Sequence, residues 1–562
     1  MDGIQWLEWG EEAFELSKKE EKPMILDIFG SWCHWCHVMD EKTYSDADVI
    51  RMINEKFVPV RVDTDKRPDI NERYNQGGWP STVFLTSNGR VITGATYVQP
   101  REMIALLHQV SEYHGINEGV VGDDRTKVES PAGRKHFGIS DKISGEILEE
   151  LITHFDIDYG GFGFEPKFPP ADALEFLLLK YRKTKDKKFL KLVTITLDWM
   201  IGNMRDGPVT GLLDNMEGGF FRYSVSRDWS LPHYEKMLEA NAALIGIYVD
   251  GYQILKNGRY KSAVEKTISY IKNYLAHSDG GFYGSQDADG EDEYYGRNIE
   301  ERRKMDTPLI DKTIYVNLNA MMVSAFVKAS IIGNEYCRVF ALKTIEFLWN
   351  NCYEKGKGMA HYYNIEEKKA HIHGLASDNI FMAEAMLDAY ELTGNAKYLE
   401  QARQLGKFLL QFQDKDGGFF DRLSNEDDLG YLKMQNKPLV ENSAAAELFF
   451  RLGVFLPDEN HKKTAEKTLE VFVNDYHKYS INAARYALAI EKFLDPIEVV
   501  AVGTAHAPLL QHSDGRKILQ VLAEGDEIAK KKGYARGIYV CKGMACQRFE
   551  TAEEAVQWLE GN

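Results

Sequence analysis

Apolar and polar positions follow two different rhythms along this chain. Over the first 115 residues, short apolar runs alternate with amphipathic stretches. Glu11 to Glu20 predicts a helix, Pro23 breaks it, and Met24-Ile25-Leu26-Asp27-Ile28-Phe29 reads as a buried strand. An amphipathic helix over Asp46 to Lys56 and a strand over Phe57 to Val62 follow. Then Ser81 to Thr86 turns at Asn88-Gly89 into Arg90 to Thr96 as a hairpin. This order predicts an α/β domain over residues 1–115, and the Gly-, Asp-, Arg- and Ser-rich residues 116–137 read as a linker.

From 138 to 494 the apolar spacing is three and four throughout, which predicts about twelve helices and no strands. A Gly-Gly-aromatic signature recurs between them at Gly160-Gly161-Phe162, Gly218-Gly219-Phe220, Gly280-Gly281-Phe282 and Gly417-Gly418-Phe419. The interval is about 60 residues, once doubled, which suits one helical hairpin per repeat. Six hairpins predict a closed all-α (α/α)6 toroid with the Gly-rich loops on one rim, and an open superhelix of helix pairs is the alternative. Residues 495–562 change pattern again. A strand over Ile497 to Val502, a helix around Arg516 to Ala523, a strand over Gly537 to Cys541 and a helix over Glu553 to Glu560 predict a small α/β appendage.

Composition narrows the partners. A net charge of −18 over 562 residues argues against nucleic acid and against an anionic membrane surface, both of which need a basic footprint. The start Met1-Asp2-Gly3-Ile4-Gln5-Trp6 has neither a basic nor an apolar leader pattern, and no run reaches about 18 apolar residues, so a cytoplasmic location is expected. Six cysteines are too few for a disulfide scaffold in a chain of this length.

The sharpest chemical signal is Cys33-His34-Trp35-Cys36, placed between the strand ending at Phe29 and a stretch able to start a helix. A helix N-terminus stabilises the thiolate of the first cysteine, and the second can resolve a mixed disulfide. Cys33 is thus the expected nucleophile and Cys36 the resolving thiol, with His34 as a source of positive charge that lowers the thiol pKa. Asp27, an acid inside an apolar run, is the candidate proton relay for Cys36, against a backbone hydrogen bond at the strand end. Pro80, after Gly77-Gly78-Trp79, begins a strand where a cis bond is allowed. Two rival readings use the same cysteines. Cys33 to His37 also fits a c-type haem signature, which needs an exported apoprotein. A zinc site would add His34 or His37 and draw on Cys541 and Cys546 as a second pair. No cofactor is required by the dithiol reading.

These motifs resemble a known family. Trp6 to Phe14, Cys33 to Met39 and Gly77-Gly78-Trp79-Pro80 are similar to the first domain of the spermatogenesis-associated-protein-20-like family, which includes bacterial YyaL-type proteins. The match continues through Gly160 to Gly163, Pro166 to Pro169, Gly219 to Val225, Pro232 to Leu238 and Gln286 to Asp289, and ends near Val540 to Cys546. The resemblance implies a thioredoxin-like domain, in which the Pro80 loop faces the dithiol, followed by a six-hairpin toroid of the glycosidase and sugar-epimerase type. It brings no established reaction. Two segments depart from the family pattern: Lys312 to Asn319 lacks a Trp-Asn pair, and Ala376-Ser377-Asp378-Asn379 replaces a Glu-Asp-Tyr. The missing aromatic weakens the carbohydrate expectation.

Toroid loops converge on a central funnel, so polar residues beside the Gly-rich signatures are the site candidates. These are His233, Glu235, Asp287 and Asp289, with Arg222, Tyr223 and Lys167 as orienting groups. A histidine with a carboxylate suits proton abstraction beside a carbonyl, and paired carboxylates suit glycoside hydrolysis. The bland alternative is that the same charges tie the rim loops together. Pro232 predicts a helix start at His233, with Glu235 in the first turn as a cap. Asp287, Asp289, Asp292 and Glu293 are a weak calcium pattern. The leading expectation is a thiol-disulfide oxidoreductase whose toroid binds or processes an unknown partner, either a protein thiol or disulfide or a small molecule such as a sugar. The alternative is a carbohydrate-active enzyme with a regulatory first domain, and a third is a scaffold with an inert CxxC.

Overall fold

The computed structural model of the chain describes residues 3–116, 138–202, 211–288, 293–512, 514–543 and 545–561. The expected linker therefore lies, from residue 117 on, outside the described residues. The chain divides into two compact units. The first is Met1–Arg134 with Gln286–Asp289 and Arg422–Asn436, and the second is the rest.

In the first unit the elements run α1 (Glu11–Glu20), β1 (Met24–Phe29), α2 (His34–Lys42), α3 (Ala47–Lys56), β2 (Val58–Asp63), α4 (Pro68–Tyr74), β3 (Ser81–Leu85), β4 (Val91–Ala95) and α5 (Pro100–Ile116). The sheet order is β2-β1-β3-β4, with β1 parallel to β2 and antiparallel to β3. Because side chains alternate across a strand, β1 feeds two cores. Met24, Leu26 and Ile28 pack with Phe14, Ile70 and Tyr74 on one face, and Ile25 packs with Met39, Ile53, Phe84 and Leu107 on the other. Burial on both faces is why β1 reads as a continuous apolar run. This is the thioredoxin-like domain that the motifs implied.

One part of this core comes from far along the chain. Leu432 joins the Phe14 and Tyr74 cluster, and Tyr431 stacks on Tyr74 at 5.1 Å. The Tyr431 N–H donates to the Tyr74 hydroxyl at 2.7 Å, and that hydroxyl donates to the Gly89 carbonyl at 2.8 Å. Arg73 Nε donates to the carbonyls of Tyr431 and Met434, each at 3.0 Å.

The second unit contains α6 (Asp141–His154), α7 (Ala171–Thr184), α8 (Lys187–Met200), α9 (Leu238–Leu255), α10 (Gly258–Tyr270), the single turn α11 (Ile299–Arg302), α12 (Val316–Ile331), α13 (Glu335–Cys352), α14 (Ala376–Thr393), α15 (Ala396–Leu409), α16 (Leu439–Phe455), α17 (Glu459–Glu470) and α18 (Ala484–Leu494). Helices α7, α9, α12, α14, α16 and α18 each touch the next, and α18 touches α7, so the ring is closed. Outside them lie α8, α10, α13, α15, α17 and α6, each packed mainly against one inner helix. The open superhelix is thereby excluded, and the unit is an (α/α)6 toroid. Inner helices such as α9 and α16 are apolar over most of their surface, with a few charges on the side that lines the central cavity, whereas outer helices such as α15 carry one apolar stripe.

The Gly-Gly-aromatic loops are the joints of this ring. Each precedes an inner helix and lies on the outer helix of the next hairpin, and both glycines take positive φ. A Cβ at Gly218 would sit 2.2 Å from the Lys266 carbonyl oxygen, and one at Gly417 would sit 2.6 Å from that of Lys467. The fourth residue of four inner helices is an asparagine that satisfies the loop backbone. Asn241, Asn319 and Asn442 accept from the N–H of Phe220, Phe282 and Phe419 and donate back to the same residues' carbonyls. Asn379 accepts from the Met359 N–H at 2.9 Å, which reveals Gly358-Met359 as the repeat inside the doubled interval.

The C-terminal residues of the second unit form a four-stranded sheet in the order Lys517–Leu522, Ile497–Val502, Gly537–Lys542, Ala545–Phe549. The expected helix around Arg516 to Ala523 is instead the strand Lys517–Leu522, parallel to Ile497–Val502. Its mostly buried apolar run gave a spacing that suits either element, and sheet pairing decided the outcome.

Asn319→Ala would leave the buried Phe282 N–H without this partner and remove the side-chain bonds to the Phe282 and Tyr315 carbonyls. It is expected to cost roughly 2–4 kcal/mol, read as a lower denaturant midpoint. Glu366→Ala on the exposed surface is expected to change stability by less than about 0.5 kcal/mol.

Candidate functional site

Cys33 occupies the N-cap of α2 in extended backbone, and the Cys36 N–H donates to its Sγ at 3.2 Å. The two sulfurs are joined as a disulfide. Both cysteines are nearly covered, while Trp35 between them is 46% exposed and meets Tyr97 at 5.3 Å. Trp32, next to Cys33, is fixed by a bond from its Nε1 to Asp65 at 2.7 Å and by an edge contact with Trp79 at 5.4 Å. Trp79 leads into Pro80 through a cis peptide bond, and its contact with Trp32 sets the Pro80 loop beside the start of the dithiol turn.

Asp27 is buried on the face of β1 that carries Ile25. The Tyr44 hydroxyl donates to its Oδ1 at 3.3 Å, and Arg61 Nε lies 3.0 Å from its Oδ2 without hydrogen-bond alignment. Arg61 is turned mainly to Asp40, which it grips through both carboxylate oxygens at 2.7 and 2.9 Å. Burial pushes the Asp27 carboxyl up to about 7, with the Arg61 charge opposing the shift. Asp27 thus holds a side-chain cluster rather than a backbone bond at the strand end, and its carboxyl is poised to exchange a proton near neutrality.

The toroid candidates do not form one site. Asp287 belongs to the first unit, where its Oδ2 lies 3.1 Å from Nδ1 of His37, one turn beyond Cys33. Asp289 and Asp292 lie outside the described residues. Lys167 is a latch: its Nζ donates to Asp156 and to the Gly160 carbonyl, both at 2.6 Å. Lys236 repeats this with Asp214 and Gly218 at 2.8 Å each, and Lys437 with Asp414 and Gly417 at 2.5 and 2.8 Å. The Lys167 charge is thereby bonded within its own rim loop.

Arg222, Tyr223, His233 and Glu235 do come together, on a hairpin of Tyr223–Ser224 with Pro232–His233. The expected helix start at His233 is corrected. The backbone stays extended through Lys236–Met237, which carries the Lys236 latch, and α9 begins only at Leu238. Glu235 accordingly caps no helix. His233 stacks on Tyr223 at 4.4 Å, Tyr223 stacks on Phe168 at 4.5 Å, and Arg222 lies over the Tyr223 ring at 5.7 Å. His233 Nδ1 is 3.5 Å from Glu235 Oε1, and Glu235 Oε2 is buried with no hydrogen-bond partner among the described residues.

A cavity of about 650 Å³ runs along the toroid axis, lined by all six inner helices together with Leu510, His512 and residues 514–518. Its charged lining pairs internally: Arg485 with Glu384 and Glu447, Lys492 with Glu175 and Glu447, and Arg451 with Asp388 and Glu391. Burial raises Glu384 to about 7. His233, Glu235, Arg222, Tyr223 and Lys167 are not part of this lining. The sequence reading also missed the buried pair His361 and Asp378, 3.0 Å apart. Its signal lay in Ala376 to Asn379, noted only as a departure. Cys541 and Cys546, the second pair of the zinc reading, are bonded to each other. Among the described residues no helix is long and apolar enough to cross a membrane.

A carboxyl whose folded pKa lies above its unfolded value binds more protons in the folded state between the two. The Asp27 contribution to stability is therefore present below about pH 4 and declines as pH rises towards about 7. Relative to Asp27→Asn, the wild type is expected to lose stability across that window at up to about 1.4 kcal/mol per pH unit. Paired melting curves from pH 4.5 to 8 measure the gap, and a constant gap would mean that the carboxyl is ionised throughout.

Comparison with known proteins agrees with the geometry. Residues 1–130 match the family described as Thioredox_DsbH, a protein of unknown function, DUF255. An uncharacterized protein of Caenorhabditis elegans is 24% identical over 99% of this chain and 94% of its own length. Spermatogenesis-associated protein 20 of Homo sapiens is 31% identical over 51% of this chain, an alignment that spans 39% of the human protein. Among solved structures, cellobiose 2-epimerase from Spirochaeta thermophila superposes with a TM-score of 0.49 and 13% identity, covering 63% of this chain and 98% of that one. The chain is thus similar to the Thioredox_DsbH family over residues 1–130 and to spermatogenesis-associated protein 20 over about half of its own length.

Proposed function

We propose that the chain is a thiol-disulfide oxidoreductase whose reacting groups are Cys33 and Cys36. The observation that carries this reading is the Cys36 N–H aimed at Cys33 Sγ at the N-terminus of α2, since such a donor and the helix dipole favour the thiolate. In the reduced protein the Cys33 thiolate attacks a substrate disulfide and forms a mixed disulfide, and one substrate sulfur leaves as a thiolate. Cys36, its proton taken by Asp27, then attacks Cys33 Sγ. The second substrate sulfur leaves, and two electrons have passed to the substrate. The exposed Trp35 offers apolar surface beside the nucleophile, which suits a protein or peptide partner. Cys33→Ser is expected to abolish reduction of a protein disulfide under a dithiol regenerant. Cys36→Ser should accumulate the mixed disulfide, seen as an added mass, and Asp27→Asn should slow its resolution at least about 10-fold. Full turnover by Cys33→Ser would refute the assignment.

A second reading, carbohydrate binding by the toroid, is favoured by the ladder Phe168-Tyr223-His233 with the unpartnered oxygen of Glu235 beside it. Phe168 is 54% exposed at the end of this stack, and flat aromatic faces suit the apolar face of a sugar ring. A disaccharide panel measured by calorimetry tests it. The reading expects one saturable binder, lost in His233→Ala while the melting temperature stays within a few degrees. No binder to the wild type removes the reading, and unfolding of His233→Ala makes the histidine a packing residue.

A further inference from the structure

A second pair of bonded cysteines lies in the C-terminal sheet. Cys541 and Cys546 sit directly opposite each other on the antiparallel strands Gly537–Lys542 and Ala545–Phe549. The bond closes only a few residues of chain, so it constrains the unfolded state less than a long-range crosslink would. The strands are already held without it. Five residue pairs register across their ladder, and Gly537–Lys542 is also paired along its length with Ile497–Val502. Reduction therefore leaves the sheet its backbone bonds and its core of Val499, Leu519, Ile538 and Val540.

The two sulfurs are differently placed. Cys541 is buried, whereas Cys546 is exposed on a strand that pairs on one side only and forms the sheet edge. The Tyr534 hydroxyl lies 3.5 Å from Cys541 Sγ and 3.4 Å from Cys546 Sγ. Its ring is held by stacking on Tyr539 at 4.0 Å, and the Tyr539 hydroxyl accepts from the Ala535 N–H at 2.9 Å. Burial, then the Glu498 charge, raises the Tyr534 pKa, so the phenol remains a proton donor. An exposed sulfur to attack, a buried sulfur to leave and a fixed donor beside both are the parts that exchange chemistry needs.

We propose that Cys541 and Cys546 are a second thiol-disulfide exchange site, open to small thiols of the glutathione class. The incoming thiolate attacks Cys546 Sγ and forms a mixed disulfide as the bond to Cys541 breaks. The electron pair leaves on Cys541 Sγ, which accepts a hydrogen bond from Tyr534 and takes its proton from water. A second thiolate attacks the small-thiol sulfur of the mixed disulfide and releases the Cys546 thiolate with the oxidised small-thiol dimer. One protein disulfide and two thiols thus become one protein dithiol and one small disulfide.

The test uses the full chain carrying Cys33→Ser and Cys36→Ser, so that its outcome is independent of the first dithiol. Equilibration in reduced and oxidised glutathione mixtures, alkylation and peptide mass analysis count labels on Cys541 and Cys546. Two labels in reducing mixtures, lost again in oxidising ones, with an unchanged circular dichroism spectrum, are expected. A bond that persists through the most reducing mixture, thiols that persist through the most oxidising one, or unfolding on reduction would each overturn the proposal. Tyr534→Phe keeps the ring stack and removes the donor, and it should slow reduction by glutathione about 5-fold, the worth of one hydrogen bond. An unchanged rate would remove Tyr534 from the site.

Discussion

The second unit depends on one constraint: the turns that lead into its inner helices are buried, and buried backbone groups must find partners. Asparagine at the fourth helical position meets the aromatic residue's N–H and carbonyl, and a lysine reaches a carboxylate and a glycine carbonyl at three of the turns. These bonds occupy charges that sit beside the Gly-rich signatures, where chemistry would otherwise be sought. Lys167, Lys236, Asp156 and Asp214 are spent on architecture. The hairpin of Tyr223 and His233 carries a stack of rings with one carboxylate beside it.

The first unit places its reactive group by a different means. A strand buried on both faces ends at a turn, the turn caps a helix with a sulfur, and an acid from the strand interior is left with a phenol and a misaligned guanidinium. The same burial that drives the strand raises the Asp27 carboxyl, so folding and proton exchange share one cause. The core that does this is completed by Leu432 and Tyr431 from the segment Arg422–Asn436. His37 gains the buried carboxylate of Asp287 in the same unit.

Elements governed by local rules were legible in the sequence. The strand before Cys33, the cap at Cys33, the turn at Gly89 and the helix-pair period all follow from side-chain spacing and turn chemistry. Closure of the ring was legible only through the repeat, because α18 meets α7 and α6 from the far end of the chain, where Ser144 and Glu491 bond across 347 positions. What failed were choices made by distant partners. The strand Lys517–Leu522 reads as helical until Ile497–Val502 lies beside it, and His233 reads as a helix start until the Lys236 latch holds the backbone extended. Asp287 read as a toroid acid because its neighbours in sequence are toroid residues, and no periodicity marks a segment that joins another unit. The His361 and Asp378 pair was hidden for the same reason: its members are seventeen residues apart on a strand and a helix, with no motif between them.

The proposed exchange chemistry requires Cys33 to be an activated thiolate. Its most direct test is the rate of alkylation of Cys33 in the reduced protein as a function of pH, followed on the peptide that contains it. The geometry of the α2 N-terminus predicts an apparent pKa well below the free-thiol value of about 8.5, rising when His34→Ala removes the neighbouring imidazole. An apparent pKa at or above about 8.5 in the wild type would contradict the assignment of Cys33 as the nucleophile.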